Sequence, residues 1–93
     1  MIYNCNNELD LKSNNGSNIL IVEDSEFVNN AVKIELEKLG HYCVQAFTLE
    51  EALQSIALMA NCDFVILDLN LPDAHGEKLF FTLHAHTEAK III

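Results

Sequence analysis

The sequence contains no arginine, only one proline, and three glycines that lie far apart. Without arginine, five lysines stand against fourteen acidic residues, and the formal net charge is -9. Binding of nucleic acid needs a basic surface that neutralises phosphates, and anionic membranes likewise attract basic segments. We therefore expect neither direct nucleic-acid binding nor membrane association.

Other absences narrow the class of protein further. The glycines form neither a G-x-G-x-x-G fingerprint nor a P-loop, which disfavours nucleotide binding. Uninterrupted apolar runs such as 19–22 and 64–67 are short against the roughly 20 residues that cross a bilayer. The N-terminus has neither the basic nor the apolar part of a secretory signal. These features favour a cytoplasmic protein.

The three cysteines, Cys5, Cys43 and Cys62, are odd in number and widely spaced. They form neither a C-x-x-C pair nor a disulfide framework, so we expect them to be reduced. Cys43 and Cys62 lie in apolar stretches and are expected to act as small buried hydrophobic residues.

The four histidines could be read as metal ligands, but their spacing argues against this. His84 and His86 are two residues apart, which turns them to different sides of a helix. We expect all four histidines to lie on the surface. In the same segment Leu79, Phe80 and Phe81 are expected to form a core-facing helical stripe.

The chain divides into two parts. Residues 1–17 are polar and aperiodic, which predicts a flexible N-terminal arm, and 18–93 predict one domain. Short apolar or β-prone runs predict strands at 19–22, 41–47, 62–69 and 89–93, and periodic segments between them predict three helices. The order βαβαβαβ predicts an α/β fold with an open parallel sheet and helices on both faces.

Acidic residues follow two of the predicted strands. Glu23 and Asp24 come after the first strand and Asp68 after the third. Taken singly, Asp24 could cap a helix and Asp68 could belong to a turn. Ligands of open parallel sheets bind at the carboxyl ends of the strands, however, where these like charges would converge and repel one another. A divalent cation would offset the repulsion, and hard oxygen ligands suit Mg²⁺. Asp68 is then a candidate nucleophile that forms an aspartyl phosphate.

The strings ILIVEDS at 19–25 and FVILDLNLPDAHG at 64–76 resemble the receiver domain of two-component response regulators. The family has Pro four residues and Gly eight residues after its phosphoacceptor Asp, and Pro72 and Gly76 match that spacing behind Asp68. The resemblance implies a flavodoxin-like fold with strand order 2-1-3-4-5. It also implies a phosphorelay in which Asp68 accepts phosphate from a histidine kinase or a phosphotransfer protein.

The resemblance also implies a ligand set for Mg²⁺. Asp24 corresponds to the direct ligand, and Glu23 to the second acidic residue, which often acts through water. Asp68 contributes a carboxylate oxygen, and Asn70 contributes its backbone carbonyl. The family thus supplies a role for each acidic residue at the two strand ends.

The same resemblance assigns loop-shaping roles and shows two departures. Pro72 fixes φ after the phosphoacceptor, and Gly76 is expected to avoid a Cβ that would crowd the backbone. His75 replaces the small polar residue usual before this Gly, which changes local charge. The family's Thr or Ser and its Lys, at the ends of the fourth and fifth strands, would fall after Ile93. We therefore expect either a fragment of a longer protein or a truncated receiver, and a truncated receiver would gain stability as a homodimer formed by edge pairing or domain swapping.

Three functional hypotheses remain at this point. The first is a phosphoacceptor that serves as a signalling switch rather than a dedicated enzyme. The second is a truncated or degenerate receiver that acts only as a protein interaction module. The third, a phosphatase of the haloacid dehalogenase type, is disfavoured because that family needs an Asp two residues after its nucleophile, and Asn70 stands there.

Overall fold

The computed structural model of the protein describes residues 16–93. In chain order the elements are β1 (Asn18–Val22), α1 (Glu26–Lys38), β2 (Tyr42–Ala46), α2 (Leu49–Leu58), β3 (Phe64–Leu67), β4 (Asn70–Leu71), β5 (Ala74–His75), α3 (Gly76–His86) and β6 (Lys90–Ile92). The predicted N-terminal arm and Cys5 lie outside the described residues. Within residues 16–93, no helix combines the length and the apolar content that a bilayer span requires.

Four strands form one parallel sheet in the order β2-β1-β3-β6. This order and the α/β class confirm the flavodoxin-like fold that the family resemblance implies. Val22 at the end of β1 pairs with both Ala46 of β2 and Leu67 of β3. The carboxyl ends of these three strands are therefore level, and the residues that follow them leave the sheet side by side.

The helices cover both faces of the sheet, as predicted. Successive side chains of a strand point to opposite faces, so each apolar strand serves two cores. Ile19 and Ile21 of β1 pack in a cluster with Leu36 of α1. Leu20 and Val22 pack in a second cluster, on the other face, with residues of α2 and α3. This two-sided burial explains why residues 19–22 of β1 and all of β3 are apolar.

Local signals in the sequence set the ends of α1. The Ser25 hydroxyl accepts a hydrogen bond from the Val28 N–H at 3.2 Å, which caps the first turn. At the other end, the Gly40 N–H donates to the Glu37 carbonyl at 3.0 Å, and the His41 N–H donates to the Leu36 carbonyl at 3.2 Å. This pattern is a Schellman motif, and Gly40 has the positive φ of 93° that the motif requires.

Two predictions of exposure are wrong. His41 is only 3% exposed, and its Nδ1 accepts a hydrogen bond from the Ser17 N–H at 3.1 Å, which offsets part of the cost of burial. Burial lowers the pKa of His41. Phe81 is 61% exposed, because the core-facing side of α3 presents Leu79 and Leu83 instead. His75, His84 and His86 are exposed, as predicted.

The described cysteines are only partly buried rather than fully buried. Cys43 and Cys62 are both free thiols of intermediate exposure. Burial raises the pKa of Cys43 to about 11, and it also raises the pKa of Cys62. Both side chains therefore stay protonated at neutral pH, which makes them poor nucleophiles and poor metal ligands.

Candidate functional site

Three carboxylates meet at the carboxyl edge of the sheet. Glu23 and Asp24 follow β1 directly, and Asp68 follows β3, whose last residue pairs with that of β1. Each of the three side chains offers one oxygen, and these oxygens all lie within 4.8 Å of one another. Asp24 is exposed, whereas Glu23 and Asp68 are partly buried. The strand-end argument thus predicts a cluster that the structure contains.

Backbone hydrogen bonds hold two of these side chains in place. The Ser25 N–H donates to Oε2 of Glu23 at 2.9 Å, and the Asn70 N–H donates to Oδ1 of Asp68 at 3.1 Å. The Asp68 N–H in turn donates to the carbonyl of Val22 at 2.9 Å, which ties the end of β3 to β1. Each carboxylate is therefore oriented by the turn in which it lies.

Burial and the neighbouring carboxyl groups disturb the ionisation of Glu23. Burial raises the pKa of Glu23 above its ordinary value, and the charge of Asp68 and side-chain hydrogen bonds with Asp24 and Asp68 add to the increase. The hydrogen bond from the Ser25 N–H opposes this effect without cancelling it. A bound cation would remove the electrostatic penalty, because it favours the charged form of every carboxylate.

The donor set fits a hard divalent cation. All three side chains offer carboxylate oxygens, and Mg²⁺ binds oxygen at 2.0–2.1 Å. Oxygens on opposite sides of one Mg²⁺ are thus about 4 Å apart, and the oxygens of this cluster lie within 4.8 Å of one another. Zn²⁺ and copper favour nitrogen and sulfur donors, and the cluster contains neither. The exposure of Asp24 leaves room for water ligands.

The loop behind Asp68 forms a small hairpin where the sequence predicts only a turn. Residues 70–71 pair antiparallel with 74–75. Leu71 is 3% exposed and anchors the hairpin in the core, while Pro72 occupies the first position of the connecting loop. The hairpin arises because proline presets φ for a turn and a buried leucine fixes its base.

Gly76 begins α3 in a backbone conformation that few other residues adopt. Beyond its chain neighbours and its own helix, a Cβ at this position would meet no atom within 4 Å, so any crowding would come from the adjacent backbone and not from a distant segment. Its φ is 73°, a conformation that residues with a Cβ rarely adopt. The Gly76 N–H also donates to the Leu69 carbonyl at 2.8 Å and closes the loop. The glycine is needed for its backbone conformation.

Three polar residues that hold neighbouring elements in place were missed by the sequence analysis. Asn29 is fully buried beneath Glu23, Gln45 contacts it from β2, and Asp73 of the hairpin binds the start of α2. The sequence contains a signal for Asn29. It lies seven residues before the buried Leu36, so it occupies the core-facing side of α1 as a polar residue. Gln45 and Asp73 show no comparable signal.

Comparison with known proteins identifies the family. Residues 19–93 match the family described as the response regulator receiver domain. The KDP operon transcriptional regulatory protein KdpE of Escherichia coli is 32% identical over 77 residues, and the transcriptional regulatory protein YxdJ of Bacillus subtilis is 35% identical over 74 residues. These matches cover 83% and 80% of this chain, and 34% and 32% of the relatives.

Solved structures agree with the sequence match. The response regulator TrrA of Thermotoga maritima, in complex with Mg²⁺ and BeF, has a TM-score of 0.74 and 32% identity, over 83% of this chain and 67% of that one. A response regulator of Clostridium difficile has a TM-score of 0.75 and 27% identity, over 81% and 61%. TrrA in complex with the histidine kinase ThkA has a TM-score of 0.71 and 32% identity, over 81% and 65%.

One class of protein accounts for the family match, the order of the sheet and the position of the acidic cluster. The chain belongs to the receiver domains of two-component response regulators. It spans about a third of the length of the curated relatives that it matches.

Proposed function

We propose that Asp68 accepts a phosphoryl group and that the domain acts as a signalling switch in a phosphorelay. The observation that carries this proposal is the convergence of three carboxylate oxygens, all within 4.8 Å of one another, at the carboxyl ends of β1 and β3. Family membership supports the same role. The ligand set for Mg²⁺ is the carboxylates of Glu23, Asp24 and Asp68 with the backbone carbonyl of Asn70.

Phosphoryl transfer to Asp68 requires a correctly placed carboxylate and a site that offsets negative charge. A carboxylate oxygen of Asp68 attacks the phosphorus of a phosphohistidine, the O–P bond forms as the N–P bond breaks, and the histidine leaves with a proton from solvent. When bound, Mg²⁺ would offset negative charge on the phosphoryl oxygens. The hydrogen bond from the Asn70 N–H engages Oδ1 of Asp68 and leaves Oδ2 for the attack.

The partners follow from this chemistry. The donor is a histidine kinase or a phosphotransfer protein, which carries the phosphohistidine. Support comes from TrrA, whose structure has been solved in complex with the histidine kinase ThkA. A cytoplasmic location belongs to the same proposal, and free, protonated thiols at Cys43 and Cys62 are consistent with it.

Intact mass spectrometry tests the proposal. The purified chain is incubated with Mg²⁺ and acetyl phosphate, and its mass is compared with that of Asp68→Asn, which keeps the shape of the side chain. We expect the wild type to gain one phosphoryl group that mild base removes, and the variant to gain none. A folded wild type that gains no mass would contradict the phosphoacceptor role.

The interaction module remains a second candidate because of one surface. An open groove of about 890 Å³ lies between α1 and the sheet, and apolar side chains such as Val28, Val32 and Ile66 line most of it. Within residues 16–93, β6 pairs with β3 on one side only. A second copy of this chain could cover the groove and the strand edge, in line with the homodimer expected from the sequence.

Light scattering coupled to size exclusion, combined with the mass measurement, separates the two candidates. An interaction module would form a dimer without gaining a phosphoryl group, and Val32→Glu would dissociate it by placing a charge in the groove. Glu35→Gln, at the rim of the same groove, is the control that should leave the dimer intact. A monomer at all concentrations would contradict an interaction module that associates with itself.

A further inference from the structure

Asn29 is the one fully buried polar residue among the residues that the structure describes. It lies in the first turns of α1, close beneath the acidic pair. A buried amide must satisfy two N–H donors and an oxygen acceptor, or the fold loses free energy. All of these groups have partners here, and the partners lie at the ends of β1 and β2, beside the acidic site.

The two donors of Asn29 bind a group of three carbonyls. Its Nδ2 donates to the Glu23 carbonyl at 3.0 Å and to the Ala46 carbonyl at 3.2 Å, and it lies 3.4 Å from the Ile21 carbonyl. Its Oδ1 accepts a hydrogen bond from Nε2 of Gln45 at 3.0 Å. The opposite orientation of the amide would place its oxygen against three carbonyl oxygens, so the hydrogen bonds allow only one orientation.

The bond to the Glu23 carbonyl constrains both acidic residues. A peptide unit is planar, and the plane that contains the Glu23 carbonyl also contains the Cα atoms of Glu23 and Asp24. Ser25, which follows, is held by the helix start, since its carbonyl accepts from the Asn29 N–H at 2.8 Å. Asn29 therefore fixes the turn from both sides of Asp24, although its own side chain does not reach the carboxylates.

We propose that Asn29 is a positioning residue, which sets the Mg²⁺ affinity of the site by fixing the peptide plane between Glu23 and Asp24. This inference rests on the proposed function, because it assumes that the acidic cluster binds Mg²⁺. Gln45 assists by holding the amide of Asn29 in its donating orientation. Residues that orient metal ligands in this way typically change metal affinity about 10–100-fold when replaced.

The chain offers a matched control for this residue. Asn30 is exposed, and its Oδ1 also accepts a hydrogen bond from Nε2 of Gln45, at 2.7 Å. Asn29→Asp and Asn30→Asp make the same replacement at adjacent positions, one buried and one exposed. Where the new carboxyl group is ionised, its negative charge alone raises the affinity for a cation. At position 29 the carboxyl group faces three carbonyls, and even when protonated it offers one O–H donor in place of two N–H donors, so the plane is released.

The experiment is a calorimetric titration of each metal-free variant with MgCl₂, together with urea unfolding in EDTA. Titrations are run at a temperature at which both the wild type and the variant are folded. We expect Asn29→Asp to weaken Mg²⁺ binding about 10-fold or more and Asn30→Asp to leave it unchanged or strengthen it. Gln45→Leu is a milder change that leaves Asn29 in place, and we expect it to weaken Mg²⁺ binding less than Asn29→Asp does. It replaces Asn29→Asp in the test if that variant does not fold.

Each outcome decides the matter. If Asn29→Asp or Gln45→Leu loses stability while its affinity for Mg²⁺ stays at the wild-type value, Asn29 is merely a structural residue and the inference fails. If both Asp variants tighten binding equally, charge alone governs the site and the inference also fails. A folded wild type that binds no Mg²⁺ overturns the proposed metal site as well, which distinguishes failure of the proposed function from failure of the inference alone.

Discussion

The carboxylate of Asp73 accepts a hydrogen bond from the backbone N–H of Leu49 at 2.8 Å, across 24 positions of sequence. Its second oxygen accepts from the Glu50 N–H at 3.1 Å. Asp73 lies in the hairpin behind Asp68, and Leu49 and Glu50 begin α2. The hairpin is thus tied to a helix start, where unpaired N–H groups favour a negative charge.

This contact predicts a pH-dependent contribution to stability. The two N–H donors hold the pKa of Asp73 below its ordinary value. A carboxyl group with a lowered folded-state pKa stabilises the fold above its unfolded pKa of about 3.9, and it loses that contribution as the pH falls through its folded pKa. We therefore expect Asp73→Ala to lower the free energy of unfolding at pH 7, with the difference shrinking below about pH 4. Urea unfolding across pH measures it.

Asp73→Asn is the control for charge. It keeps an acceptor oxygen for the N–H of Leu49, so it should retain part of the stability. Because it cannot ionise, its own contribution should not vary with pH. Equal stability of the wild type and Asp73→Ala at pH 7 would show that the contact contributes nothing.

Glu23 predicts the opposite dependence on pH. Its pKa is raised by burial and by the neighbouring carboxylates, so its ionised form destabilises the metal-free fold. That cost is present at neutral pH and disappears as the pH falls through the raised pKa towards the unfolded value of about 4.3. We expect Glu23→Gln to be more stable than the wild type in EDTA at pH 7, with the two converging at lower pH.

Mg²⁺ should reverse the order of stability of the wild type and Glu23→Gln. A bound cation stabilises the carboxylate cluster, and the loss of one carboxylate weakens that binding. In several millimolar Mg²⁺ the wild type should gain more in thermal midpoint than Glu23→Gln does. Equal gains in both proteins would mean that Glu23 contributes nothing to the cation site.

The buried and exposed sides of α3 predict a contrast between two alanine variants in their free energy of unfolding. Leu79 is fully buried between the sheet and α2, whereas Phe81 is 61% exposed. Replacement of a buried leucine by alanine costs about 2–5 kcal/mol, and surface changes usually stay within about 0.5 kcal/mol. Leu79→Ala should therefore destabilise the domain strongly and Phe81→Ala very little. Denaturant unfolding tests this, and similar losses in the two variants would contradict the assigned orientation of α3.

Most of the fold could be predicted because its signals are local. The β-prone runs, the helical periodicity between them and the order of elements specify a parallel sheet with few alternatives. The cap of α2 is also local, since the Glu51 N–H donates to the Thr48 hydroxyl at 3.1 Å. The Glu51 carboxylate, however, accepts from the Phe47 N–H at 2.8 Å, not from that of Thr48 as a standard capping box would have it.

The features that were missed depend on contacts distant in sequence. The hairpin at 70–75 depends on burial of Leu71 in a core formed by other elements. The orientation of α3 follows from its packing against α2. Periodicity alone does not decide which of the adjacent Phe80 and Phe81 faces the core. Asp73 looks like an ordinary turn residue until α2 is placed beside it. The acidic cluster was predictable by a simple rule. Residues that follow the carboxyl ends of neighbouring parallel strands lie together at one edge of the sheet.

Chemical mapping of the phosphorylated residue tests the central claim most directly. The chain is treated with acetyl phosphate in Mg²⁺ or in EDTA, then reduced with borohydride, which converts an acyl phosphate of aspartate to homoserine. Peptide mass spectrometry locates the product. We predict homoserine in place of Asp68 in the Mg²⁺ sample and none in EDTA. Homoserine in place of Asp24 instead, or no modified residue in a folded protein, would contradict the account.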